Sequence, residues 1–405
     1  MKILLLTQDF PPVLNSAARL FSELAEDLQN HGHTVSVLTR IPERYLASTE
    51  KRRKGIFFNK ENKNGIKIYR IKSLPVPKHI PLARALDHFW TSFSFLVSGI
   101  FLGKYDFIIV YSPPLPLALS GYIFSKIWRG KVIVNVQDIY PQTVIDLGLL
   151  RKRFLIKLAE WMELFIYKKV HAIVVHSEGN KDFLIKRGAP SKKIYVIENW
   201  VDLNILKPGL KSSNWRKINN LNQAFIVSFA GTMGFAQGLE EVVKVAEKLR
   251  NYSDIIFVFA GDGVARPAIE KFIVKKKLTN VRLLPHQSPD LYREMLQASD
   301  ICLVTLNKNL KTPVVPGKLQ CIMAVGRPVI CIANPASDAK RIIEEAGCGF
   351  FINSGNLNRL SEAILKIYKN KDLAKDMGRK GRKYAEEHFD RKKCVQKYLA
   401  LLSNL

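Results

Sequence analysis

Cysteine is scarce in this 405-residue chain, and none of its five cysteines stands in a CxxC pair. Cys302, Cys321, Cys331, Cys348 and Cys394 are odd in number and scattered, which argues against a disulfide framework or a zinc site and fits a reducing compartment. Long apolar runs are missing too. The longest, residues 89–102, is shorter than the ~20 residues a membrane-spanning helix needs. It reads either as a core helix or as a helix lying in a membrane surface. The start, MKILLLTQDFPP, lacks the longer apolar core and small-residue cleavage site of a signal peptide, so it reads as a buried first strand. Two phosphate-binding signatures are also absent. The first strand leads into Gln8-Asp9-Phe10-Pro11-Pro12 without glycine, and residues 231–238 space their glycines as GxxGxxxG, not GxGxxG. No GxxxxGK[ST] occurs. A nicotinamide dehydrogenase and a P-loop ATPase are thereby disfavoured.

Acidic residues are few: 35 Asp and Glu face 63 Lys and Arg, for a net charge of +28. The excess is spread over both halves of the chain. Nucleic acid, anionic lipid and a general bias of composition compete to explain it. No groove-reading or base-stacking module accompanies the charge, so nucleic acid is set aside. Basic clusters at 51–54 and 151–153 could attract an anionic leaflet, at about 1 kcal/mol per residue near the surface. Each cluster taken alone is equally a solvated surface.

What is present is an alternation of short apolar runs and amphipathic segments, twice over. Strands are expected at 3–6, 35–39, 66–71, 107–111, 132–136, 172–175 and 195–197, and again at 224–230, 255–260, 281–284, 301–304 and 329–332. Apolar strands separated by helices indicate parallel sheets covered on both faces. The polar stretch 208–222 has no period and reads as an interdomain linker, while residues 356–405 read as almost wholly helical. Ligands of such folds bind at the carboxyl ends of strands.

Three segments fall there. In 229–249 a strand runs into Gly231 and Gly234, and Gly238 heads a helix. In 255–263 the strand ends at Gly261-Asp262-Gly263. Glycines at such turns let a ligand approach the backbone, and the helix N-terminus favours an anion. In 314–329 Pro316-Gly317 forms a turn and Lys318 stands in the first turn of a short helix, where a cation opposes the helix dipole. A bound anion resolves that conflict. Asp138 follows the apolar run 132–136, where a carboxylate could serve sugar hydroxyls or oxocarbenium charge, or cap the turn before Pro141.

With these segments in view, the chain resembles the GT-B glycosyltransferases of family 4, particularly the branch that builds bacterial surface polysaccharides and lipid-linked sugars. The matching segments are DFPP at 9–12, AARL at 17–20, GHTVSVLT at 32–39, VQDIYPQ at 136–142, VIENWVD at 196–202, AGTMGFAQGLE at 230–240, AGDG at 260–263 and VPGKL…MAVGRPV at 315–329. The resemblance implies two Rossmann-like, doubly wound parallel-sheet domains facing across a cleft. Residues 1–202 would bind the acceptor, 203–387 the nucleotide-sugar, and 388–405 would form a helix packing back on the first domain. It implies transfer of a hexosyl or N-acetylhexosaminyl group, with retention, from a nucleotide diphosphate, often UDP. The acceptor would be lipid-linked or a saccharide, the place the inner face of the cell membrane, reached from the cytoplasm.

The same resemblance assigns catalysis to Asp138 and Lys318. It assigns donor contacts to Gly231, Met233, Gly234, Gln237, Gly261, Gly263, Pro316, Gly317, Lys318 and Cys321; Asp9, which also follows a strand, and Asn15 are candidates for the acceptor side. With no DxD motif, no metal and no other cofactor are expected. One departure stands out. Many family members carry two glutamates eight positions apart, and aligning on Gly326-Arg327-Pro328 puts Pro313 and Cys321 there. A thiol does not replace a carboxylate toward ribose hydroxyls. A nucleotide-sugar 2-epimerase of the same architecture and a non-catalytic assembly partner are the alternatives.

Overall fold

The computed structural model describes residues 1–42, 58–74, 81–211 and 214–405. The basic cluster at 51–54 lies outside the described residues. Contacts divide the chain into two units: Met1–Asn199 with Lys392–Leu405, and Trp200–Arg391.

The first unit is built on eight strands: β1 (Lys2–Leu6), β2 (Thr34–Arg40), β3 (Phe58–Lys63), β4 (Ile66–Ile71), β5 (Phe107–Ser112), β6 (Lys131–Val136), β7 (Ala172–Val175) and β8 (Ile194–Val196). Their order across the sheet is β3-β4-β2-β1-β5-β6-β7-β8. All pairs are parallel except β3 with β4. The central strands are apolar on both faces because helices cover both; Ile3 to Leu6 and Ile108 to Val110 are fully buried. The antiparallel β3 has no counterpart in the expected strand set. Its sequence, FNKENK, is polar because it sits at the sheet edge, exposed to solvent. The Asn64-Gly65 turn that follows, with φ of 51° and 83°, is the local signal that could have revealed it.

The second unit carries β9 (Phe225–Ala230), β10 (Ile255–Ala260), β11 (Val281–Leu284), β12 (Ile301–Thr305), β13 (Val329–Ala333) and β14 (Gly349–Asn353), in the order β11-β10-β9-β12-β13-β14, all parallel. The edge strand β14 is also additional to the expected set. It follows helix Ala339–Ala346, which Gly347 closes with a left-handed φ of 59°.

The stretch 208–222 is not the linker its composition suggests. Helix Asn214–Ile218 belongs to the second unit, with Trp215 and Arg216 buried. Its polarity serves an internal network. Arg216 donates from Nε and Nη2 to Ala298 O, at 2.9 and 2.7 Å, and from Nη1 to Ala224 O at 2.7 Å. Its Nη2 also reaches Asp300 Oδ2 at 2.8 Å.

At the other end of the chain, helix Lys371–His388 stays with the second unit, and helix Arg391–Asn404 packs on the first. That last helix buries Cys394, Val395, Tyr398, Leu401 and Leu402. The residues 89–102 do not form a core helix: helix Pro81–Gly99 and the 3₁₀ turn Ile100–Leu102 turn a large apolar face outward.

Each sheet reverses its winding once, between β1 and β5 in the first unit and between β9 and β12 in the second. The crevice outside the strand ends at such a reversal is where doubly wound sheets take ligands.

Candidate functional site

In the second unit the reversal point gathers the glycine turns around one lysine. Helix Gly317–Ala324 begins at Pro316, with no side-chain cap and no acidic residue in its first turn. Leu319 N–H turns back to Pro316 O at 2.9 Å. The amides of Gly317 and Lys318 have no protein acceptor among the described residues. The Lys318 side chain runs back over β9, its Nζ 3.9 Å from the centre of the Phe229 ring. No carboxylate pairs with it among the described residues. Burial without a counter-charge pushes its pKa down to about 7.

Gly231 explains how the lysine reaches that position. Gly231 has a φ of 126°, which favours glycine, and a Cβ there would fall 2.6 Å from Lys318 Cε and push the lysine aside. The amides of Gly231 and Gly234, which the resemblance places on the donor side, are engaged within the protein. Gly231 N–H donates to Ala260 O at 2.8 Å, extending the β9–β10 ladder, and Met233 N–H donates to Asp262 O at 2.8 Å. Gly234 N–H donates to Gln237 Oε1 at 3.0 Å, so Gln237 braces the loop. Gly261 and Gly263 serve the same close approach: a Cβ at either would meet the carbonyl oxygen of Gly231 or Met233, at 2.0 and 2.4 Å. These glycines let two loops run backbone to backbone beneath the lysine. Cys321 lies one turn further along the helix, partly exposed.

In the first unit the strand ends bring Asp9, Tyr111 and Asp138 together. Asn15 caps helix Ser16–Asn30 by accepting from Ala18 N–H at 2.8 Å, and its Nδ2 donates to Asp9 Oδ2 at 2.8 Å. Arg40 Nη2 stands 3.7 Å from the other Asp9 oxygen, and Arg40 Nη1 is 2.8 Å from buried Asp87. Tyr111 meets Phe21 edge-on at 5.1 Å. Its hydroxyl is held protonated by burial first, then by the charges of Asp138 and Asp9. The surrounding protein also raises the pKa of Asp138. Its side chain also meets solvent, which screens part of that push.

Behind Asp138 lies a polar network that motif reading missed. Gln137 Nε2 reaches Asn135 Oδ1 at 2.8 Å and Asn199 Oδ1 at 2.9 Å. His176 Nε2 lies 3.2 Å from Asn135 Oδ1, and its Nδ1 lies 2.8 Å from Ile197 O. Burial lowers the His176 pKa to about 4, so the ring is neutral. Asn135 also hydrogen-bonds the Tyr398 hydroxyl, which arrives from the last helix. Phe229 was missed as well; its only sequence signal is its place two residues before Gly231.

Two family models match the chain: Glycosyltransferase Family 4 over residues 17–205 and Glycosyl transferases group 1 over residues 211–384. The chain is 25% identical to a relative in Escherichia coli K12 designated a colanic acid biosynthesis glycosyl transferase, WcaI, over 98% of this chain and 99% of the relative. Among solved structures, the sucrose-phosphate synthase (tll1590) from Thermosynechococcus elongatus superposes with a TM-score of 0.80 at 15% identity, covering 100% and 98% of the two chains. Anabaena Alr3699/HepE in complex with UDP-glucose superposes at 0.75 with 15% identity, over 100% of each chain.

Proposed function

The chain belongs to the GT-B glycosyltransferases of family 4, and from that membership we propose that it moves a sugar from a nucleoside-diphosphate donor, with UDP as the nucleotide, to a lipid-linked or saccharide acceptor. It is a glycosyltransferase of polysaccharide biosynthesis. The finer reading is a hexosyl or N-acetylhexosaminyl transfer that retains anomeric configuration and uses no metal. A solved relative of the same fold holds UDP-glucose, which supports the choice of donor class.

One observation carries the reading: a partly buried lysine, without a counter-charge among the described residues, stands at a helix start that no side chain caps. In the transfer, the bond between the anomeric carbon and the diphosphate oxygen breaks and its electron pair leaves with the diphosphate. A cationic Lys318 and the amides of Gly317 and Lys318 act on that growing charge, where such contacts accelerate the reaction most. The acceptor hydroxyl bonds to the anomeric carbon and its proton passes to the departing diphosphate oxygen. Asp138 is assigned hydrogen bonds to sugar hydroxyls from the first unit, and Asp9, oriented by Asn15, to the acceptor.

A screen of nucleotide sugars by thermal shift, followed by assay of released nucleoside diphosphate, tests this. A UDP-sugar is expected to raise the melting temperature and to be consumed slowly by water even without acceptor. If no nucleotide sugar does either, the transferase reading fails. Asp138→Asn is expected to lower turnover on the order of tenfold, the worth of a hydrogen bond to a charged group. Turnover equal to wild type would remove Asp138 from the site. We also place the enzyme on the cytoplasmic side, held at the anionic inner membrane face, which its +28 net charge supports.

A further inference from the structure

Helix Pro81–Gly99 buries Phe95 in the core, and beside it the inward face carries polar groups with partners in the protein. Asp87 pairs with Arg40, Thr91 Oγ1 donates to Asp87 O at 2.7 Å, and Ser92 Oγ lies 2.7 Å from Ser120 Oγ. Its outward face carries Leu86, Phe89, Phe93 and Val97, and the 3₁₀ turn continues it with Ile100 and Phe101. These positions, spaced i, i+3, i+7, i+11, i+14 and i+15, form one stripe, and Phe101 is 83% exposed. Trp90 flanks it, 6.1 Å from the Phe93 ring.

A second helix, Arg153–Lys169, repeats the pattern. Phe154, Leu158 and Trp161 lie at i, i+4 and i+7, and Trp161 is 63% exposed. Exposed Arg151, Lys152, Arg153 and Lys157 surround them. Both helices pack on helix Leu115–Trp128, one through Ser92 and Ser120, the other through Phe165 against Tyr122. The connections β4 to β5, β5 to β6 and β6 to β7 all step the same way across a parallel sheet. Right-handed crossovers therefore put the three helices in one layer on one face.

We propose that this layer is a docking face for an anionic lipid bilayer, with the aromatic stripes in the boundary between headgroups and acyl chains and the basic side chains among the phosphates. Aromatic residues beside lysine and arginine match that boundary. A second copy of the chain is a poorer occupant, because a two-fold contact would bring the like-charged rims together. The inference rests on the membrane placement proposed above and gives it a surface, while the transfer chemistry can stand or fall without it.

The test is sedimentation of the full chain with vesicles of phosphatidylcholine, alone or with phosphatidylglycerol added. Binding is expected to be strong only with phosphatidylglycerol and to weaken with salt. The double variant Phe93→Asp/Phe101→Asp is expected to lose at least roughly tenfold in partitioning. Arg151→Glu/Arg153→Glu should abolish the preference for phosphatidylglycerol. Phe101→Ser alone, at a position the fold does not use, serves if the double variant melts early. Equal binding of wild type to both vesicles, or undiminished binding of the apolar variants, overturns the proposal. So does a dimer in solution that the apolar variants dissociate without lipid. Melting temperature and nucleotide-sugar binding, measured in parallel, separate failure here from failure of the transferase reading.

Discussion

Lys318→Ala is expected to lower turnover of the nucleotide-sugar donor by roughly 10²–10³, the cost of removing one preorganised donor from a site of developing negative charge. Melting of the variant should be normal or later than wild type, because burying an ammonium without a counter-charge opposes folding. The sign can be worked out. Its folded pKa, about 7, lies below the ordinary 10.5. The penalty is therefore full below pH 7 and is lifted as pH rises toward 10.5, so stability from this group increases across that window.

Donor binding runs the other way. A diphosphate selects the charged lysine, so affinity is greatest below pH 7 and falls about tenfold per unit above it, until the pKa of the complex is reached. Near pH 8 each binding event should take up close to one proton, which calorimetry in buffers of different ionisation enthalpy reads directly. A Lys318→Ala enzyme with unchanged turnover, or donor binding without proton uptake at pH 8, would remove the lysine from the site.

Arg216→Met should destabilise the second unit by about 3–5 kcal/mol, because it strands the buried Asp300 carboxylate. That carboxylate accepts from Ile226 N–H at 2.9 Å and also pairs with Lys211, so one cation would remain. The carbonyls of Ala298 and Ala224 would lose their donor as well. Urea titration followed by tryptophan emission, to which buried Trp215 contributes, measures the loss. Adding Asp300→Asn should recover part of it, since two neutral partners cost less than one orphaned charge. A loss under about 1 kcal/mol would show that the pair is relaxed by solvent.

Most of the two sheets was readable from the chain because their strands are buried on both faces, and continuous apolar runs such as FIIV and IIFVFA have few other uses. The strands that escaped are at edges, where one side meets solvent and polar sequence is tolerated, as in β3. The linker reading of 208–222 failed for a related reason. Arg216 and its neighbours look like surface, yet they are satisfied internally by carbonyls contributed from Ala224 and Ala298. At the site, Lys318 could be singled out because its charge contradicts its place on the helix. The task of Gly231 could not, since what it accommodates is a side chain 87 positions later, brought over it only by the fold. The Asn135–His176–Tyr398 network was invisible for the same reason: no local pattern connects residue 135 with residue 398.

That last hydrogen bond bears on how the protein is made. The first unit needs helix Arg391–Asn404 to cover its Asn135 network, yet the ribosome must first deliver all of Trp200–Arg391. At about 5–20 residues per second that interval lasts roughly 10–40 s. Throughout it the nascent first unit stands with the seat of Tyr398, Leu401 and Leu402 uncovered. The unit begun first is thus completed only after the second has been made.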